Sequence, residues 1–260
     1  MRMPALLGFA IVTVAAACAP PPEFVASLSD PGEAAYDQRV LGQWYQQTDD
    51  LLVYAAFADA PATGDDGAGA AGGTVDEAGQ TGKLLRISLI FQDGDGEDAA
   101  SLPLTAFASR LDGALYYNFV RRQTPYAYDY TAPGGKPGHI VVRMFHPAPD
   151  VMLVCGFFLG DDMSDVEDAL EGSGLSPRLA RVPARINGRP VDPEDTLLHA
   201  LVDGSRADLL RLVKRDPGND FELMFAFSRL GTPWVDPLDD PGLRAFMRAH
   251  GDECNFDTLN

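Results

Sequence analysis

Leu102-Pro103-Leu104-Thr105-Ala106-Phe107-Ala108-Ser109-Arg110-Leu111 is followed by Asp112-Gly113 and then by Leu115-Tyr116-Tyr117-Asn118-Phe119-Val120-Arg121-Arg122. Two stretches of alternating apolar and aromatic residues around Asp-Gly predict a tight β-hairpin, because Asp-Gly supplies the positive φ angles that a two-residue turn needs. The same period-two pattern, bounded by Gly, Pro or Asp, predicts four more strands at Arg39 to Gln46, Leu84 to Phe91, His139 to His146 and Val151 to Phe158. Pro147 to Asp150 turns the last two into a second hairpin. Short connections exclude parallel pairing, which needs long crossovers, so the expected core is an antiparallel meander.

Outward from this core the composition changes. Residues 59–82 lack aromatic and positively charged residues and consist largely of Ala, Gly, Asp and Thr. Such a segment buries too little apolar surface to offset its ordering entropy, so it reads as a disordered insertion between two strands. After Gly160 helical signals take over. Ser164 caps a segment ending at Glu171, Ser205 caps Arg206 to Arg215 before Pro217-Gly218, and Asp240 caps Pro241 to His250 before Gly251. The last two resemble each other in Leu210-Arg211 and Leu243-Arg244, either as a duplicated unit or as two helices packing on one sheet.

The chain begins with Arg2, an apolar stretch from Ala5 to Val14, and Ala15-Ala16-Ala17-Cys18. A positive n-region, a short apolar h-region and small residues before a cleavage point form an export signal. Ending at Cys18 and followed by Ala19-Pro20-Pro21-Pro22, it resembles a bacterial lipoprotein signal, which implies that Cys18 is acylated and becomes the mature N-terminus. In such lipoproteins Asp after the cysteine retains the protein in the inner membrane; Ala19 therefore implies the outer membrane, facing the periplasm or the cell surface. An ordinary secretory signal with Cys18 incidental is the alternative. An uncleaved anchor is excluded by length, since a span takes about 20 apolar residues. The expected division is a signal at 1–17, a lipidated tether at 18–30, a β-rich domain at 31–160 and a helical region at 161–260 packing on the sheet.

The formal net charge is −18, and loss of Arg2 makes it more negative. Such a surface repels nucleic acid and anionic membrane faces. Cys155 and Cys254 remain once Cys18 carries lipid, either as one disulfide of an oxidising compartment or with Cys155 as a buried thiol.

Gly42-Gln43-Trp44-Tyr45 at the start of the first strand resembles the Gly-x-Trp motif that opens the lipocalin β-barrel. Gly lets the chain bend at the barrel base and Trp closes that end. The resemblance implies a cation from a late strand stacked on Trp44, for which Arg143 is the candidate. The arrangement is also similar to bacterial lipoproteins with Gly-x-Trp soon after the lipidated cysteine. The helical C-terminal third departs from a plain lipocalin, so the fold expected is α+β: an antiparallel sheet or partly closed lipocalin-like barrel with C-terminal helices.

Tyr126, Tyr128 and Tyr130 recur at period two after Tyr116 and Tyr117, which makes either an aromatic face for a ligand or partner or a ladder that stabilises a sheet. Asp93 to Asp98 alternates carboxylates but lacks the bidentate Glu and following helix of an EF-hand, so it reads as a solvated acidic loop. No nucleophile elbow, zinc-binding His-Glu-x-x-His, Cys-x-x-Cys or phosphate-binding loop is present. His139, His146, His199 and His250 form no metal-ligand spacing. No catalytic residue, metal or cofactor is expected. The function anticipated is a lipid-anchored envelope protein of non-catalytic binding or structural type, taking a small apolar ligand or an envelope protein partner. The alternatives are an envelope-polymer hydrolase or an assembly factor.

Overall fold

Asp112 and Gly113 turn the chain with φ of 50° and 90°, and the flanking strands pair from Leu111↔Ala114 to Leu104↔Arg121. The computed structural model describes residues 21–48, 51–60, 84–93, 99–121, 138–160, 163–183, 185–186, 189–190 and 196–256. The elements are β1 (Glu23–Phe24), β2 (Gly42–Gln47), β3 (Leu51–Asp59), β4 (Leu84–Asp93), β5 (Ala99–Leu111), β6 (Ala114–Arg121), β7 (His139–Ala148), β8 (Val151–Phe157) and α1 (Met163–Leu170). They continue with β9 (Ser176–Pro183), β10 (Arg185–Ile186), β11 (Arg189–Pro190), β12 (Thr196–Asp203), α2 (Arg206–Val213), α3 (Pro217–Asp220), β13 (Phe221–Arg229) and α4 (Pro241–Ala249).

Eight antiparallel strands close on themselves in the order β6-β5-β4-β3-β2-β13-β8-β7, with β7 pairing back to β6. The barrel thus closes fully, where the sequence left closure open. Strand alternation directs Trp44, Val53, Phe57, Ile87, Leu104, Tyr117, Val142, Met152 and Phe227 into one core inside the barrel. The opposite faces of β7, β8 and β13 present Val141, Leu153, Cys155, Phe157 and Leu223 to a second core shared with β1, β12 and the helices. Each fully buried side chain of this size contributes about 1.5–3 kcal/mol.

Three expectations are corrected here. The eighth barrel strand, β13, lies in the segment expected to be helical, and β9 and β12 add further strands there. Phe221–Arg229 is an apolar and aromatic run that completes the wall by pairing with β8 and, at Ser228↔Tyr45 and Arg229↔Trp44, with β2. β3, whose alternating Val53, Ala55 and Phe57 face inward, went unpredicted because alanines dilute its signal. The chain from Glu23 to Asp30, expected as tether, is packed. Phe24 and Leu28 are buried, the Leu28 amide donates to Asn118 Oδ1 at 2.9 Å, and Ser29 Oγ lies 2.6 Å from Ser109 Oγ. Phe24 packs on Phe157 of β8, and Leu28 and Ser29 fasten the following stretch to the outer face of β6 and β5. The signal segment with Cys18, the insertion proper at 61–83, and residues 94–98 of the acidic loop lie outside the described residues.

The helices sit on the second core. Ser205 and Asp208 form a reciprocal capping box on α2, and Asp240 Oδ1 accepts from the Leu243 amide at 2.8 Å to start α4, with Pro241 at its first position. No helix among the described residues is long and apolar enough to cross a membrane.

Candidate functional site

One end of the barrel is closed by the chain that leads into β2. Asp37 caps a 3-10 turn at Gln38–Val40, accepting from the Arg39 amide at 2.9 Å, and its carboxylate holds the Arg39 guanidinium at 2.6 Å. That hydrogen bond holds the Asp37 carboxyl below its ordinary range, against burial. Trp44 is fully buried and its indole N–H donates to the Val40 carbonyl at 2.9 Å. The turn is thereby stapled across the barrel end. Tyr117 Oη accepts from the Asp37 amide at 3.2 Å, and burial pushes its phenol far above the usual value.

The cation over Trp44 is Arg229, whose Cζ lies 4.3 Å from the ring centroid. Its guanidinium also donates to the carbonyls of Leu41 at 3.2 Å and Arg39 at 3.3 Å. Gly42 makes room for it. The glycine has φ of 126°, and a Cβ there would stand 2.7 Å from Arg229 Nη1. Gly42, Trp44 and Arg229 are therefore one unit: the backbone bends at the first, and the last strand lays its cation on the second. His146 packs beside Trp44 with ring centroids 5.8 Å apart, and burial lowers its pKa to about 4.

Arg143, the expected partner of Trp44, is elsewhere. On β7, Ile140 and Val142 point inward, so Val141 and Arg143 point outward. Arg143 lies over Tyr116 and Phe145, at 5.1 and 5.0 Å, and pairs with the Glu253 carboxylate while donating to the Glu253 carbonyl at 3.2 Å. His250 Nδ1 lies 2.8 Å from the same carboxylate. Burial opposes the Glu253 charge, yet the His250 hydrogen bond and the Arg143 guanidinium hold its carboxyl below the ordinary value. Cys155, the register partner of Arg143, is bonded to Cys254. Two neighbouring residues of the C-terminal segment are thus fastened to two neighbouring strands. The Asn255 amide then donates to the Phe221 carbonyl at 2.6 Å.

Tyr116 is 4% exposed and packs against Phe221 at 5.7 Å. It belongs to the outer core rather than to an open aromatic face, because it lies under Arg143 and the C-terminal segment. Tyr126, Tyr128 and Tyr130 lie outside the described residues. His139 opens β7 beside β1, and burial lowers its pKa to about 4. His199 lies in β12. Among the described residues no group of three His, Cys, Asp or Glu side chains is placed to hold a metal.

Fully buried side chains line the barrel interior behind Trp44. Trp44, Val53, Leu85, Ile87, Ala106 and Met152 all have zero exposure. At the opposite end the inward residues Phe91, Leu102 and Phe225 are only partly buried, with Phe91 and Phe225 rings 6.5 Å apart. The seam between β2 and β13 is short, and side chains finish it. The Ala226 amide donates to Gln46 Oε1 at 2.7 Å, the Trp234 indole N–H to the Ala226 carbonyl at 3.4 Å, and the Tyr45 hydroxyl to the Thr232 carbonyl at 2.8 Å.

Sequence reasoning missed Arg229, although Phe225, Phe227 and Arg229 recur at period two just before Gly231. That alternation was the available signal. Comparison with protein-family models, curated proteins and solved structures gave no match.

Proposed function

We propose that this chain is a lipid-anchored, non-catalytic envelope protein on a lipocalin-like barrel, and that it works by binding a protein partner on its outer surface. The observation that supports this choice is the set of fully buried side chains behind Trp44. Side chains at zero exposure border no water-sized void, whereas a small-molecule pocket needs about 300–1,000 Å³. That favours binding on the exterior.

The lipocalin-like reading is supported by Gly42, Trp44 and Arg229, which together make the closed barrel end that the Gly-x-Trp resemblance implies. An oxidising compartment is supported by the bond between Cys155 and Cys254. The anchor at Cys18 and the outer-membrane address rest on the signal alone.

Native mass spectrometry of the protein extracted from its own envelope tests the proposal. A covalent acyl mass and a co-extracted protein are expected. A stoichiometric small apolar ligand on the folded chain would overturn the exterior reading, and Cys18→Ser remaining membrane-bound would overturn the anchor.

A further inference from the structure

The outer side of β2, β3, β4 and β5 carries almost no charge. These strands contain two carboxylates, Asp59 and Asp93, and each is the last residue of its strand. On the outward parity, opposite to that of the inward Trp44, Val53, Leu85 and Leu104, the four strands hold one charged residue, Arg86. At the centre Tyr45 stands opposite Tyr54 and Tyr54 opposite Ile90, and Ile90 is 39% exposed. The face continues onto the loop after β13. The Leu230 amide donates to the Gln43 carbonyl at 2.9 Å, and the Tyr45 hydroxyl bonds the Thr232 carbonyl. Leu230 is 47% exposed, and residues 230–235 are uncharged.

Resting on the reading that this chain binds a protein on its outer surface, we propose that this face docks a second copy of the same chain across a twofold axis. Charge selects the occupant. The −18 of the chain lies wholly outside the face, so two copies repel each other through the rest of their surfaces. A twofold contact lays one patch on itself, which a patch of one sign opposes and an uncharged patch of tyrosine, isoleucine and leucine permits. A basic partner, by contrast, is steered towards carboxylates, which this face lacks. The chain's own second core covers the outer side of β7, β8 and β13, whereas Ala58, Arg86 and Ile90 are exposed on this wall.

Area sets the strength. Strand spacing and rise make the face about 20 Å by 20 Å, or about 400 Å², which is half of the about 800 Å² that each side of a stable complex buries. The dimer is therefore weak and reversible.

Sedimentation velocity of the envelope-extracted protein in density-matched detergent tests the proposal. A monomer–dimer equilibrium with a Kd between about 10 and 300 μM is expected. Raising the salt from about 0.05 to 0.5 M is expected to tighten it at least about threefold, because salt screens the repulsion that opposes pairing. Ile90→Glu and Ile90→Arg are each expected to weaken it at least about tenfold, since a twofold contact turns either charge towards its own copy. Glu171→Arg, exposed just after α1 on the covered side, is expected to leave the dimer intact. Should the Ile90 variants misfold by near-ultraviolet circular dichroism, the salt response of the parent decides. A chain that stays monomeric to about 300 μM, a dimer that salt weakens, or one indifferent to both charges at residue 90 overturns the proposal. So does a dimer that Ile90→Glu weakens and Ile90→Arg tightens, a pattern that fits an acidic surface and not a copy of this face. Failure of the underlying reading looks different: a monomer co-extracted with another protein removes only the second copy, whereas a stoichiometric small apolar ligand on the monomer removes exterior binding as well.

Discussion

The two sides of the barrel are built to different rules. On β4 the chain alternates, with Leu85, Ile87 and Leu89 buried inside and Arg86 and Ile90 exposed outside. On β8 all seven residues from Val151 to Phe157 are buried. The difference lies in what covers the outer face. β3 and β4 show theirs to solvent, while β7, β8 and β13 are overlaid by β1, β12, the helices and the C-terminal segment. One wall of a single barrel thus behaves as a surface sheet and the other as the middle layer of a sandwich. Stability, acid sensitivity and covalent cross-linking should all concentrate on the covered wall.

The largest expected effect comes from cutting the bond that holds the cover down. Cys155→Ala with Cys254→Ala opens a link across 99 residues, which the chain-entropy model values at about 4–5 kcal/mol. Urea unfolding measures it, and a loss below about 1 kcal/mol would mean that packing alone retains the C-terminal segment. Next, Trp44→Ala should cost about 3–5 kcal/mol as a fully buried aromatic. Arg229→Ala should lower stability through the same end, whereas Arg143→Ala should leave the indole environment, read by near-ultraviolet circular dichroism, unchanged. An equal spectral change in both variants would break the assignment of Arg229 to Trp44.

The sharpest test of the two-wall comparison is smaller. Met152→Ala and Leu153→Ala point to opposite sides of β8, yet each should cost about 2–5 kcal/mol, while Ile90→Ala on the open wall should stay within about 0.5 kcal/mol. If Leu153→Ala is as mild as Ile90→Ala, the outer core is not a true second core.

The response to acid is a further test of the covered wall. His139 and His146, both on β7, have pKa values lowered to about 4 from an ordinary 6.5, with burial the leading cause. The folded state binds fewer protons than the unfolded one between those values. Stability is therefore complete above about pH 6.5 and declines as pH falls towards 4. A thermal midpoint that is flat from pH 7 to 5 would contradict their burial, and His139→Gln with His146→Gln should flatten the decline in that window.

Local signals were legible where a pattern and its partner lie close in the chain. Asp112-Gly113 turns β5 into β6, Pro147 to Asp150 joins β7 to β8, and the caps Ser205 and Asp240 open helices, because each depends on residues within a few positions. Trp44 was also legible as a residue that closes the barrel end. Two things were not. Which cation lies over Trp44 depends on strand parity and on which strand sits beside β2, and only closure of the barrel brings Arg229 there from 185 positions along the sequence. Whether a covering layer exists on the second face of β8 was equally hidden, since an apolar run such as Val151–Phe157 reads the same for any strand buried on both sides. The sequence by itself determined the local hairpins, the helix starts and the residues too apolar to be left in water. Only the tertiary structure decided the eighth strand, the partner of Trp44 and the two-sided burial of one wall, because these are set by contacts between segments that no local propensity links.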